Sequence, residues 1–533
     1  MDFDVVVVGF GMAGACAAIS AADSGANVLV IDRGLGGGAS ALSGGIVYAG
    51  GGTPYQKRAG FEDTADNMFD YLHQEVEGVV DDDTLRRFCG ASVDQLGWLE
   101  RHGARFDSSL CDYKTSYPTD RHYLYYSGNE KAYPYNRNAV PAPRGHRQVA
   151  PGMSSGRVLW EAMRDSALAA GVTFLPMTRA EQLDLTTADE IAGVHVRTTA
   201  ENQTWNSRLS RRLTTASAKL INWVPPIGQL INRQADAAWG RVAESRYISA
   251  PAVILAAGGF IFNPDMVRRH APAHVLVSPL GTAGDDGSGI RLGLSAGGST
   301  EFLDRVTAWR FISPPSAMIG GVAVGLSGER IANEDLYGAT HAGRMIRDFG
   351  GAGYLVLDSR MWHRAKSQFF SQTQLFQRAM MAPVFAGAHR KADTLVGLAG
   401  KLGVSPTGLS ATVAAYNAAI HDSREDPLHK AAEVCVPIHH PPFYGIDISL
   451  KPSPLDFVPG LTLGGLRVDP ASGQVRRADG TSIAGLYAAG RNAVGVCSNS
   501  YVSGLSLADC VFSGRRAGEH AARTRSSTTT LLG

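Results

Sequence analysis

The sequence predicts an α/β fold: a Rossmann-type dinucleotide-binding domain with an inserted α+β cap. Three observations predict it. Residues 4–9 (DVVVVG) form a β-branched apolar run closed by glycine, the mark of a parallel strand buried on both faces. Residues 12–24 (MAGACAAISAADS) are small and helix-prone, Gly25 can end that helix, and residues 27–32 (NVLVID) give a second strand, completing one βαβ unit. Between residues 300 and 455 the texture becomes less glycine-dense, with mixed strands and helices, and the end of the chain then returns to the opening style. The expected division is 1–300 and 455–533 for the dinucleotide-binding domain and 301–454 for the cap.

The other elements follow in order. TADNMFDYLHQEV and DDTLRRFCGASVDQLGWLERHG, within 64–107, each carry helical amphipathic spacing. Segment 111–150, rich in Tyr, Pro and Arg, reads as a long ordered loop. A helix at 155–170, a short strand (VTFLP) and a buried strand at 252–259 (AVILAAGG) come next. In the cap, LVGLAGKLGVSPTGLSATVAAYNAAIH holds two helices broken at Ser405-Pro406. The tail RSSTTTLLG reads as disordered.

Composition excludes several classes. The 533 residues suffice for two sizeable cores. With 44% hydrophobic and 19% charged residues this is an ordinary globular enzyme composition, and a net charge of +1 gives no global attraction to nucleic acid or an anionic surface. Cys16, Cys89, Cys111, Cys435, Cys497 and Cys510 show no CxxC pair and no metal-ligand spacing, so they read as reduced buried thiols with no metal. No apolar run reaches the roughly 18 residues of a membrane span and no signal peptide is visible, so the expected location is cytoplasmic.

One stretch fits this pattern poorly. Residues 205–246 interrupt the first domain with Arg208, Arg211, Arg212, Lys219, Arg233, Arg241 and Arg246, interleaved with Trp205, Trp223, Trp239 and many aliphatics and broken at Pro225-Pro226. It reads either as a hairpin lying in a membrane interface, giving peripheral membrane association, or as a surface excursion or subunit contact.

Gly9-Phe10-Gly11-Met12-Ala13-Gly14 is a GxGxxG set between strand and helix, with Asp32 closing the second strand. The glycines let backbone approach a pyrophosphate, and the helix N-terminus at Met12 and Ala13 adds partial positive charge. Asp32 would accept hydrogen bonds from a ribose. Three further stretches resemble those of Rossmann flavoproteins: Arg33 followed by GLGGGASALSGG, with Ser40, Ser43, Gly44 and Gly45 facing the pyrophosphate and flavin; Ala256-Ala257-Gly258-Gly259 beside the adenosine; and GLYAAG at 485–490, where Gly490 leads into Arg491. This resemblance implies FAD as cofactor. The last helix, opening at Leu505-Ser506-Leu507, would aim its positive end at the flavin pyrimidine ring.

Nearly the whole chain resembles the fumarate reductase/3-ketosteroid dehydrogenase superfamily, through GTAGDDGSGIRLGLSAGG (281–298), RIANED (330–335), PGLTLGGLRVD (459–469) and the run from 485 to 518. The resemblance implies an FAD domain, a cap closing over the flavin and a substrate between them. The departures carry the specificity. Where fumarate reductases have an HGxNRLGG-like run, this chain has Cys497-Ser498-Asn499-Ser500-Tyr501-Val502-Ser503-Gly504, so tyrosine replaces the carboxylate-gripping arginine and cysteine replaces the histidine. Tyr337 stands at the place of their proton-relaying arginine, and their acid arginine aligns loosely near Trp362. A dicarboxylate needs cationic bidentate partners, whereas phenols suit a neutral ketone on an apolar body. Tyr337 with Tyr501-x-Ser503 resembles the 3-ketosteroid Δ4-(5α)-dehydrogenases; the YAGPG-like run of the Δ1-dehydrogenases is absent.

The expectation is an FAD-dependent dehydrogenase acting beside the ketone of a lipophilic ketosteroid in steroid catabolism. Tyr337, Tyr501 and Ser503 would be catalytic, with the two phenols sharing the proton work, and Ser503 or a backbone N–H near Gly504 would hold the developing enolate. The alternatives are a Δ1-dehydrogenase, a reductase of an unsaturated acid, or a flavin-binding protein without turnover. Plainer readings stand beside these: Tyr501 as a core tyrosine, Tyr337 as a surface one, Ser503 as a helix N-cap. Glu334 and Asp335 read as structural, and His341 and Arg344 as cap-lining or solvated helix residues. The electron acceptor and oligomeric state are left open.

Overall fold

The computed structural model describes residues 3–200, 204–450 and 458–529, the last six of these as backbone only. Val5–Val8, four buried β-branched residues, can only be satisfied between two other strands. They lie parallel to Ala252–Leu255 on one side and Val28–Ile31 on the other, with Val5 level with Ala252 and Val28. Ser482–Ala488 extends this sheet in parallel beyond Ala252–Leu255, Thr173–Leu175 extends it beyond Val28–Ile31, and Gln474–Arg476 closes one edge antiparallel. The first helix, Met12–Asp23, returns across the sheet as the βαβ pattern predicts.

The last helix, Leu505–Thr529, lies on the first. Their contact is made of small residues: a Cβ on Gly514 would sit 2.5 Å from the Ala13 carbonyl oxygen, and one on Gly518 would overlap the Ala17 carbonyl. Because Ala13 is level with Gly514, the last helix begins eight residues, about 12 Å, beyond the first helix's N-terminus at Met12.

The inserted segment has its own four-stranded sheet, ordered Val322–Val324, Tyr354–Leu357, Phe443–Asp447, Arg390–Ala392, all antiparallel. Helices Gly338–Phe349, Ser359–Gln372, Leu395–Leu402 and Pro406–His421 surround it. The break at Ser405-Pro406 is a helix start: Ser405 Oγ accepts from Gly408 N at 3.2 Å, and Pro406 occupies the first helical position.

Several expectations need correction. The stretch 82–103, read as one helix, is two helices, Asp82–Gly90 and Ser92–Arg101. The expected loop 111–150 contains strands Leu124–Tyr125 and Gly145–Arg147, which join Ile46–Tyr48 in a three-stranded sheet, and a helical turn at Tyr135–Asn138. Strands of two or three residues are too short for alternation to show. The final helix runs through Thr529, so the first part of the tail is helical; 530–533 lie outside the described residues. Trp362 stacks on Tyr444 and packs against Phe385 and His389 in the hydrophobic core of the inserted segment, not in the cluster that holds Tyr337 and Tyr501. His341 is buried rather than solvated, and burial lowers its pKa to about 4, while Arg344 is exposed.

Residues 205–246 do form a hairpin, Trp205–Leu220 and Pro225–Gly240, between two strands of a three-stranded sheet. Its helices meet through Ser207, Ser210, Ser217, Gly228, Ala235 and Ala238, with Ser210 Oγ donating to Ala235 O at 3.0 Å and Ser217 Oγ to Gly228 O at 2.9 Å. Trp239 is not part of an outer apolar face: it is buried, donates to Met177 O at 2.9 Å and carries the Arg179 guanidinium 3.9 Å above its ring. The exposed apolar residues gather instead around the turn, at Leu220, Trp223, Val224, Ile227 and Leu230, with Trp205 at the other end. Among the described residues no helix is long and apolar enough to cross a membrane.

Candidate active site

The dinucleotide cradle is built by backbone. Gly9 has φ +104°, and a Cβ there would lie 2.5 Å from Ala256 O. A Cβ on Gly14 would overlap Gly9 O, so this glycine is demanded by helix-on-strand packing. Gly11 differs. A Cβ there would make only ordinary contacts, 3.5 Å to Ser40 Oγ and 3.8 Å to Gly37 O, so the fold itself does not forbid a side chain. Gly11 is the N-cap and offers no side-chain cap, which leaves the helix N-terminus facing outward, with Ser40 Oγ accepting from Met12 N at 3.1 Å.

Asp32 braces this loop: its Oδ2 accepts from Phe10 N at 2.8 Å and its Oδ1 from Gly34 N at 2.7 Å. A carboxylate has about four lone-pair sites, so acceptor capacity is left for a ribose. Arg33 donates to Asp286 at 2.7 Å and to Ala283 O at 3.2 Å, tying the second strand to the 281–298 segment. Ser43 Oγ donates to Ser40 O at 2.7 Å and accepts from Gly45 N at 3.2 Å, shaping the glycine-rich turn; Gly44 and Gly45 press on Tyr117 and Ser155 with no room for Cβ atoms. Ala257 N donates to Asn492 Oδ1, Gly258 has φ +81° against Asp285, and Gly490 N donates to Ser513 Oγ at 2.9 Å. The buried Arg491 is ion-paired to Asp285. Asp285 and Asn492 lie inside motifs visible in the sequence, GTAGDDGSG and GLYAAGRN, but nothing there marked them as the pair that fixes Arg491 and Ala257. Backbone without side-chain cover, an open helix N-terminus and a spare acceptor suit a dinucleotide.

The substrate side is where Tyr337, Tyr501 and Ser503 come together. Tyr337 precedes helix Gly338–Phe349 of the inserted segment, and Tyr501 and Ser503 lie just before the last helix. Tyr337 and Tyr501 pack in an apolar cluster with Trp309, Phe311, Leu280, Leu461 and Leu463, and Ser503 is linked to Tyr337 electrostatically. The Trp309 ring meets Tyr501 edge-on at 4.8 Å, and Phe311 meets Tyr337 at 5.4 Å. Burial, then the neighbouring Tyr501 and Tyr125, push the Tyr337 phenol far up, while the Ser503 hydroxyl works the other way. Burial and Cys497 likewise push Tyr501 up against the pull of Arg491 and the Gly504 amide. Both phenols are therefore neutral O–H donors at rest.

Gly504 has φ +94°, and its carbonyl accepts from Tyr48 N at 3.1 Å, which fixes the peptide that opens the last helix. Leu505 and Leu507 are buried in its first turn, with Ser506 between them half-buried. Cys497, at the place of the fumarate reductase histidine, is buried and donates to Asp509 at 3.5 Å; burial and that carboxylate raise its pKa, which keeps it a thiol. Glu334 pairs with Arg330 and with Lys430 at 3.3 Å. Burial pushes the Glu334 carboxyl up, but Lys430 and Arg330 outweigh it and hold it below the usual range. Asp335 accepts from Ala431 N at 2.7 Å. These two acids hold the loop that carries Tyr337.

Sequence reasoning missed Tyr125. Its O–H donates to Ser503 Oγ at 3.0 Å, and Ser127 Oγ donates to Ser503 O at 2.9 Å. Both come from the segment read as a loop. Its density of tyrosines was the one available signal, and no spacing ties position 125 to 503.

An open GxGxxG cradle, a last helix displaced by a ring system and a capped apolar site define an FAD flavoprotein of Rossmann type. Residues 4–507 match the family of the FAD binding domain. The chain is 40% identical to the 3-oxo-5-alpha-steroid 4-dehydrogenase of Comamonas testosteroni over 91% of this chain and 92% of that one. It superposes with TM-score 0.81 and 29% identity on the crystal structure of the 3-ketosteroid-Δ4-(5α)-dehydrogenase of Rhodococcus jostii in complex with 4-androstene-3,17-dione, covering 98% of this chain and 97% of that one. A 3-oxosteroid 1-dehydrogenase of Mycobacterium tuberculosis is 26% identical over 94% of each chain. The chain belongs to the FAD binding domain family, within its group of 3-ketosteroid dehydrogenases.

Proposed function

We propose that the protein is an FAD-dependent dehydrogenase that places a double bond between C4 and C5 of 5α-3-ketosteroids. One observation carries the reading: a phenol from the inserted segment and a Tyr-x-Ser from the C-terminal run converge on one apolar-walled cluster. The 40% identical 4-dehydrogenase supports the substrate class. The Δ1 alternative would call for the YAGPG-like run, and an acid reductase for an arginine where Tyr501 stands. We assign 301–454 as the cap and 1–300 with 455–533 as the FAD domain.

Bound FAD supplies a hydride acceptor. The protein's own residues must orient the steroid, polarise its ketone and take a proton from the carbon beside that ketone. Leu280, Leu461, Leu463, Trp309 and Phe311 give the ring system an apolar seat. Tyr501 and the Gly504 amide stand as donors for the ketone oxygen, whose negative charge grows as C4 loses its proton. Tyr337, once its own phenol proton has passed to solvent, is the base that takes the C4 proton, and Ser503, which accepts from Tyr125, steadies that phenolate. The test is anaerobic mixing of the yellow protein with a 5α-3-ketosteroid. Bleaching of the flavin with a C4–C5 double bond in the product is expected; a C1–C2 double bond, or no bleaching, overturns the assignment.

We further propose that the hairpin tip touches a membrane surface, where a lipophilic steroid partitions. The exposed Trp223, Val224, Ile227 and Leu230 with the neighbouring Lys219 support this, and the exposed Arg208, Arg212 and Arg233 lie on the helices behind.

A further inference from the structure

Glu75 lies in the last turn of helix Ala65–Val76, buried at 2% exposure. Its carboxylate accepts from three neutral donors: Tyr71 O–H at 2.7 Å, Asn129 Nδ2 at 2.7 Å and Ser500 Oγ at 3.1 Å. Its main-chain carbonyl accepts from Asn499 Nδ2 at 2.8 Å. Asn499 and Ser500 immediately precede Tyr501. Asn129 continues the connection: its Oδ1 accepts from Tyr337 N at 2.6 Å, and its Nδ2 also donates to Thr340 Oγ1 at 2.9 Å. One acidic side chain thus joins the strand of residues that carries Tyr501 to the loop that carries Tyr337, although neither tyrosine touches it.

We propose that Glu75 is a positioning residue whose ionised carboxylate locks the Tyr501 run to the Tyr337 loop. This rests on the reading of those phenols as the acting groups. The chemistry favours the anion in that task. Only an ionised carboxylate can accept all three donors at once, and its demand for the Asn129 NH2 turns that amide so that its oxygen meets Tyr337 N. A protonated acid turns one oxygen into a donor: on Oε1 it opposes the Asn129 amide, and on Oε2 it reverses the Ser500 bond, so the hold on the Tyr501 run changes either way.

The charge is held at a cost. Burial raises the Glu75 pKa to about 7, the three hydrogen bonds oppose the rise, and Glu130 adds to it. The ionisable groups around it are Tyr71 on its own helix, Tyr48 on strand Ile46–Tyr48, Tyr135 on helix Tyr135–Asn138, and Glu130 with Lys114 from the 111–150 segment. A raised carboxylate pKa means that the native state holds a proton the unfolded chain has released above about 4.3. The stability this gives is present at low pH and is lost as pH rises through about 7, whereas the positioning role needs the ionised form. Stability and turnover therefore change in opposite directions across neutral pH.

The test uses the full-length FAD-loaded protein, turning over a 5α-3-ketosteroid with a dye acceptor. Wild type should show an acid limb in kcat near pH 7. Glu75→Gln should remove that limb and hold kcat at a low, pH-independent level, down about ten- to a hundredfold at pH 8, with KM and FAD content little changed. Glu75→Asp, which keeps the charge on a shorter stem, should restore the limb at reduced rate. Ser500→Ala, which withdraws one donor, should move the limb up by about one pH unit. A Glu75→Gln enzyme with wild-type kcat, or with its acid limb intact, overturns the proposal. If Glu75→Gln does not fold, an unshifted limb in Ser500→Ala overturns it. Tyr501→Phe reports separately: full rate there defeats the phenol reading itself, whatever Glu75 does.

Discussion

Tyr125 donates its phenolic O–H to Ser503 Oγ at 3.0 Å, across 378 residues of sequence. The Ser503 hydroxyl also acts on the Tyr337 phenol, drawing its pKa down against burial. The serine is thus the middle of a three-hydroxyl chain from the apolar cluster into a buried strand. Tyr125→Phe removes the far member only. The expected result is a loss of about tenfold in kcat with FAD content and KM unchanged, measured by steady-state turnover with a dye acceptor. An unchanged kcat would show that the chain ends at Ser503.

Tyr337→Phe and Tyr501→Phe remove a hydroxyl from groups whose rings are packed edge-on by Phe311 and Trp309, so folding should survive. Each should lose about 10²- to 10⁴-fold in kcat while remaining yellow. Wild-type turnover in either flavin-loaded variant would remove that phenol from the mechanism. Ser503→Ala should cost less than either, because Ser503 acts on the reacting atoms only through Tyr337.

The cofactor half of the site was legible because its signals are local. A βαβ unit, GxGxxG and Asp32 lie within the first 32 residues, each tied to its neighbour by spacing. Tyr337, Tyr501 and Ser503 were legible only through family resemblance, since no period links a cap loop to a C-terminal run. Tyr125, Asn129 and Glu75 were not legible at all. Tyr125 sits on a two-residue strand, and all three reach the site through hydrogen bonds between segments 54 to 378 positions apart, where neither hydrophobic pattern nor propensity carries information. The hairpin was recognised, but Trp239 was misplaced, because one face of a short helix cannot be told apart from sequence when small residues make the contact.

Gly11 and Gly14 separate cofactor from fold. Gly14 has no room for a Cβ beside Gly9 O, so Gly14→Ala should destabilise the protein itself, lowering Tm and soluble yield. Gly11 has that room and faces the helix N-terminus, so Gly11→Val should fold, keep its circular dichroism and elute as colourless apoprotein. Full flavin content in soluble Gly11→Val would refute the placement of the pyrophosphate.

The hairpin offers the last test. Leu230 is 57% exposed, Trp223 52% and Ile227 51%, on a turn whose helices bury mostly small residues against each other. Such a tip gains by inserting beneath headgroups, and Lys219 beside it with the arginines behind favours an anionic surface. Intact protein should co-sediment with vesicles containing phosphatidylserine at low salt and be released as salt rises, because the attraction between exposed charges is screened. A Trp223→Ser/Ile227→Ser double variant should stay in the supernatant and keep its dye-linked turnover, since neither residue reaches the tyrosine cluster. If intact protein remains in the supernatant, the membrane contact is wrong. If the double variant changes the elution volume of the protein without vesicles, the tip is a contact between copies of the chain.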